Sequence, residues 1–71
     1  VKIDGARLKA AREQAPGRPT QTEAAVIAGV TEQTLARWEK KGGTVNLHIA
    51  RALAKAYNVA VKSFEVQEVQ K

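Results

Sequence analysis

The 71-residue chain contains no cysteine, so neither a disulfide framework nor a cysteine-based zinc site is available to it. It carries one histidine, His48, with no second His and no acidic cluster beside it to complete a metal site. One His without Cys supplies no nucleophile–base pair, and no phosphate loop is visible, so enzymatic activity is not expected. No metal or other cofactor is expected either. No apolar run approaches the roughly 20 residues that span a bilayer, and no signal peptide is visible. The expectation is a cytoplasmic protein with no membrane partner. The first residue is Val rather than Met, which leaves open whether this is a whole protein or an excised domain.

Acidic residues are the scarce charge. Seven Asp and Glu stand against twelve Lys and Arg, giving a formal charge of +5 and a pI near 10.0. That balance favours an acidic partner, nucleic acid first. The bases are spread along the chain, however, and small basic proteins exist that bind nothing acidic. A chain this short is expected to form one domain (1–71), with a core over about 4–64 and a tail over 65–71. Such a domain buries only about 60% of its unfolded surface, and its stability should be on the order of 3–5 kcal/mol.

The stretch Thr20–Glu39, TQTEAAVIAGVTEQTLARWE, carries the densest local signals. Thr20 is a good N-cap, and Glu23 three residues later completes a capping box that satisfies two backbone donors reciprocally. Ala24, Ala25 and Ala28 then fall on one side at helical spacing, small enough to let a second helix approach closely. Gly29 stops this helix, because the terminating position needs a positive φ. Thr31 caps the next one, with Val30 and Leu35 spaced as a hydrophobic staple. Helix, glycine turn and helix is the unit that lays its second helix in a DNA major groove, although any small helical protein can contain such a pair. On that second helix, spanning 32–39, Leu35 and Trp38 face inward. Glu32, Gln33, Ala36 and Arg37 lie opposite them. Gln bonds adenine bidentately, Arg bonds guanine bidentately, and Glu accepts from a cytosine amino group, so this face carries the side chains that base reading uses.

Gln21, Ala25, Gly29-Val30-Thr31, Leu35, Arg37-Trp38-Glu39 and Lys40-Lys41 together resemble the motif of the phage repressor/Cro (Xre-type) helix-turn-helix family. The resemblance runs from about Leu8 to about Phe64. It implies an all-α, five-helix lambda-repressor-like bundle acting as a DNA-binding transcriptional regulator, expected to be a repressor. It implies that Gln21 contacts the DNA backbone and braces the recognition helix, and that Arg12 pairs with Glu39. It further implies that the basic loop Lys40-Lys41-Gly42-Gly43-Thr44 offers positive charge and amides to a phosphate; the alternative there is a glycine hinge with ordinary surface lysines. The expected phosphate contacts are Gln21, Thr31, Thr34, Lys40, Lys41 and Arg18. One short recognition helix touches few base pairs, so double-stranded DNA is expected to be bound by a homodimer on a two-fold operator.

The flanks read as follows. Asp4 can cap a first helix, with Ile3 and Leu8 stapled across it and Leu8, Ala11 and Ala15 forming an inward stripe. Arg7, Lys9 and Glu13 read as solvated charges. Ala15–Pro19, APGRP, is a loop. Ile27 is expected to pack against a neighbouring helix, and Val26 either packs or joins an exposed patch. Asn46 caps a fourth helix whose inward face is Leu47, Ala50, Leu53, Ala54 and Tyr57, and Asn58 can end it in the left-handed conformation. Val59, Val61 and Phe64 suggest a short last helix. The tail EVQEVQK fits a helical extension or a strand.

Two rivals exist. GVTEQTLARWEKKG is also similar to the corresponding helix of winged-helix MerR-type regulators and excisionases. A winged helix would place a β-hairpin after that helix, whereas the residues after Gly43 have helical period. The second rival shares the fold: an antitoxin- or co-activator-like module that holds a protein partner through its exposed apolar residues.

Overall fold

A computed structural model describes residues 1–66 of the protein. A short strand β1 (Lys2–Ile3) leads into α1 (Gly5–Gln14), α2 (Gln21–Ala28) and α3 (Glu32–Lys41). A second short strand β2 (Gly43–Thr44) separates α3 from α4 (Leu47–Tyr57), and a single 3-10 turn follows at Val61–Ser63.

Each helix starts where a polar side chain meets a free backbone N–H. Asp4 accepts from Arg7 N, and Thr31 accepts from Thr34 N at 3.1 Å. Asn46 accepts from His48 N at 2.7 Å. Thr20 and Glu23 bond each other's backbone at 3.1 and 3.0 Å, the reciprocal arrangement that a capping box requires. Gly29 ends α2 at φ 76°, and Val30 N returns to Ala25 O at 2.9 Å, so the chain reverses within two residues and enters α3. Asn58 ends α4 in the same left-handed manner, with Val59 N bonded to Ala54 O.

The core gathers Leu8, Leu35, Leu53, Tyr57 and Phe64, all fully buried, with Ala24, Ala25 and Ala50 letting the helices close up. α3 sits between α1 and α2, while α4 packs across α2 and α1. Gly5 is the tightest point. A Cβ on it would lie 2.7 Å from the Trp38 carbonyl oxygen and 2.8 Å from that of Glu39, so α1 begins against the backbone of α3 only because no side chain intervenes.

Several expectations need correction. There are four α-helices among the described residues, and a 3-10 turn stands where a fifth was expected, because Val61 and Phe64 are already placed in the core after one turn. The fold is not purely α. β1 pairs antiparallel with β2, Lys2 opposite Thr44 and Ile3 opposite Gly43, and on its other side Ile3 bridges Glu65. The expected loop after Lys41 is therefore a strand, entered through Gly42 at φ 73°, where a side chain would collide with the Ile3 carbonyl. That strand pairs with the N-terminal segment and is followed at once by α4, so no wing is built. Ile27 does not pack inward and is 51% exposed; Val26 is 75% exposed and Leu47, expected on the inner face of α4, is 46% exposed. Small alanines already fill the α2–α4 contact, and Leu47 stands at the first position of its helix, beyond the core. The tail beyond Val66, with its helix-or-strand alternatives, lies outside the described residues.

Candidate nucleic-acid interface

α3 has one satisfied side and one unsatisfied side. On the inner side Leu35 is fully buried, Trp38 is half-buried against the core, and Glu39 is only 6% exposed. A carboxylate that deep is tolerable only with its oxygens bonded. Arg12 on α1 supplies a fork, Nε to Oε2 at 2.7 Å and Nη2 to Oε1 at 3.2 Å. Gln21, the first residue of α2, donates its amide to Oε1 at 2.9 Å. The third guanidinium nitrogen of Arg12 donates to the Pro19 carbonyl at 3.1 Å, pinning the loop before α2. The bond to Glu39 raises the pKa of the guanidinium above its ordinary value, against an opposing effect of burial. One carboxylate thus ties α1, the loop, α2 and α3 into a fixed arrangement.

On the outer side Gln33 and Arg37 are exposed, one helical turn apart, with Ala36 partly covered between them. The side chains of Gln33, Arg37, Lys40 and Lys41 form no hydrogen bond or ion pair among the described residues. Lys40 and Lys41 occupy the last turn of α3, where its dipole favours cations, and Glu32 the first, where it favours an anion. Glu32 is not free: its Oε2 accepts from the Thr22 hydroxyl on α2. Thr31 and Thr34 stand at the entrance of α3 with their hydroxyls 2.8 Å apart. Arg18 sits in the loop before α2 at φ 44°, exposed and away from α3 in sequence.

Residues 8–64 match the helix-turn-helix family of the Xre/lambda-repressor-like type, the span that contains α1 through the 3-10 turn. The chain belongs to that family. Xre-type helix-turn-helix proteins are DNA-binding transcription regulators, a family generally without enzymatic activity. Neither the curated proteins nor the solved structures gave a match to the chain. No helix among the described residues is long and apolar enough to cross a membrane.

Within this helix-turn-helix protein the structure brings together most of the residues named from sequence. Gln21, Glu32, Gln33, Ala36, Arg37, Lys40 and Lys41 lie on α2 and α3, whereas Arg18 stands apart on its loop. Lys9 was read only as a solvated charge. It lines, with Gln21, Ala36, Glu39 and Lys40, a cleft of about 190 Å³ where α1, α2 and α3 meet. Its spacing was the available signal: Lys9 lies three residues before Arg12, on the same side of α1. Since Arg12 neutralises Glu39, the exposed charge at this cleft comes from Lys9 and Lys40.

Proposed function

We propose that the protein is a sequence-specific regulator of transcription, a repressor, that lays α3 in the major groove of double-stranded DNA. The observation that carries this reading is the unsatisfied outer side of α3. Gln33 and Arg37 have donors and acceptors with no intramolecular partner, on a helix whose inner side is clamped by Arg12, Gln21 and Leu35. Base edges offer the matching groups: adenine N6 and N7 for Gln33, guanine O6 and N7 for Arg37. A rigid helix reads them without an ordering cost of its own backbone. Lys40, Lys41, Arg18 and the Lys9 cleft hold phosphates and fix the register, with Gln21, Thr31 and Thr34 contributing at the helix entrances. Glu32 takes part in reading through its remaining acceptor capacity.

A few base pairs cannot single out one genomic site, so two copies act on an inverted repeat, recognition helices about 34 Å apart. The segment from Asn58 to Phe64, together with the tail, is the contact between copies in this reading. The small size of that surface makes the free protein largely monomeric, pairing when DNA aligns two copies.

Selection of bound sites from a random DNA pool, followed by titration of variants, tests the reading. Gln33→Ala relaxes preference at one or two base pairs at a cost of about 1–3 kcal/mol. Lys41→Ala weakens all sequences alike and makes the salt slope shallower by about one. An unchanged ratio of specific to random binding in Gln33→Ala overturns the assignment of the reading face. The exposed Val26, Ile27 and Leu47 favour a second reading, a module on the same fold that holds a protein partner. Absence of any DNA shift at low salt selects that alternative.

A further inference from the structure

The one carboxylate on the outer side of α3 stands where cations and neutral donors otherwise face the groove. Glu32 is exposed, lies in the first turn of α3, and is one turn from Ala36 and beside Gln33. An ionised carboxylate is acceptor-only. Near phosphates it is repelled, and it is equally repelled by the bare acceptors of guanine and thymine. It finds a partner only in an exocyclic amino group, and cytosine N4 offers one without an adjacent acceptor in the major groove, whereas adenine sets N7 beside N6. A free glutamate at this position would lose several rotamers on binding and would swing toward whichever donor was near.

Here it is not free to swing. The Thr22 hydroxyl, from the first turn of α2, donates to Glu32 Oε2. The hydroxyl proton is spent on that bond, and Oε1 is left to accept from outside. Thr22 is not needed for capping, which Thr20 and Glu23 accomplish between themselves, and it is exposed rather than part of the core. The helix-turn-helix geometry alone does not call for the contact, because Gln21 and Arg12 already lock α2 to α3 through Glu39.

We infer that Thr22 is a positioning residue for specificity: it holds Glu32 so that the carboxylate selects a cytosine at one base pair of each half-site. The inference rests on the DNA-reading function proposed for α3, and it adds a base, a reader and the residue that aims the reader.

The test is base-by-base titration of the wild-type half-site with Thr22→Val, Thr22→Ser and Glu32→Gln. Val keeps the shape of Thr and loses the hydroxyl; Ser keeps the hydroxyl. In the wild type, replacing the selected cytosine costs about tenfold in affinity. Thr22→Val lowers that preference to about twofold, Thr22→Ser retains it, and Glu32→Gln abolishes it. The melting temperature and the salt slope of Thr22→Val stay at the wild-type values, because the residue neither fills the core nor touches a phosphate. A cytosine preference that survives in Thr22→Val, or an equal loss at every base pair, overturns the inference while leaving the DNA-reading function standing. No sequence preference in the wild type overturns both.

Discussion

Removing Arg12 should cost this domain most of its stability. The Glu39 carboxylate is nearly inaccessible, its side chain 2% exposed, and three donors meet it: two from Arg12 and one from Gln21. In Arg12→Ala the carboxylate keeps only the Gln21 amide, and the Pro19 carbonyl loses its donor as well. Stranding one member of a buried pair costs about 3–5 kcal/mol. That equals the whole stability expected of a domain this small, on the order of 3–5 kcal/mol. At about 4–8 °C of melting temperature per kcal/mol, Arg12→Ala and Glu39→Ala should each melt at least 12 °C lower and be partly unfolded at 25 °C. Circular dichroism melts of both variants measure this directly. The double replacement Arg12→Leu with Glu39→Leu isolates the cause. If the loss comes from an unpartnered charge, the double variant recovers most of it, since an apolar pair removes the desolvation cost with the attraction. Single-variant shifts of only a degree or two, or a double variant as unstable as the two losses added, would refute the reasoning.

Three further outcomes are expected. Gly5→Ala should destabilise by about 1–3 kcal/mol despite the better helix propensity of Ala, because its Cβ would press on the Trp38 and Glu39 carbonyl oxygens at 2.7 and 2.8 Å; a raised melting temperature would rule that out. Tyr57→Phe should be neutral or stabilising by up to about 1 kcal/mol at pH 7, since the buried Tyr57 hydroxyl finds no partner among the described residues. Burial also pushes that hydroxyl's pKa up to about 12, with the Glu39 charge adding to the rise. Its contribution is therefore complete below pH about 10 and lost as pH rises through about 12, some 2–3 kcal/mol in all, and melts at pH 8 and 11 should show a smaller decline in Tyr57→Phe. Removal of residues 67–71 should weaken cooperative binding to an inverted repeat more than it lowers the melting temperature; equal occupancy per half-site on half and full sites, with the tail present, would mean the protein binds as a monomer.

Local chemistry was legible in the sequence wherever one residue's own neighbours decide the outcome. Asp4, Thr20, Thr31 and Asn46 cap the helices because each needs only a backbone N–H two or three residues ahead. Gly29 and Asn58 end helices for an equally local reason. What escaped notice depends on partners far along the chain. Two-residue strands show no alternation, and β1 meets β2 across some forty residues, so neither announced itself. Gly5 read as an indifferent residue after a cap; a glycine where Ala would favour the helix was the hint of a close approach. Apolar spacing marked Ile27 and Leu47 as inward, but spacing cannot say whether a partner helix reaches that far. The Thr22–Glu32 bond joins two helices whose relative angle no single-helix pattern encodes.

The formal charge of +5 understates the field this domain presents, because folding consumes its acids and bases unequally. Asp4 and Glu23 bond helix-start amides, Glu32 accepts from Thr22, and Glu39 is buried under Arg12 and Gln21. The matching expenditure of bases is smaller: Arg12 is committed inside, and Arg7 leans on Asp4 at a loose 3.8 Å. Lys9, Arg18, Arg37, Lys40 and Lys41 have no side-chain bond or ion pair among the described residues. A basic composition alone would fit a protein that binds nothing acidic. The disposition is the stronger argument: carboxylates turned toward backbone and core, cations turned outward beside the helix whose reading groups lack partners. Electrostatic attraction then brings DNA to the correct side of the molecule, and the neutral groups of α3 decide which sequence stays.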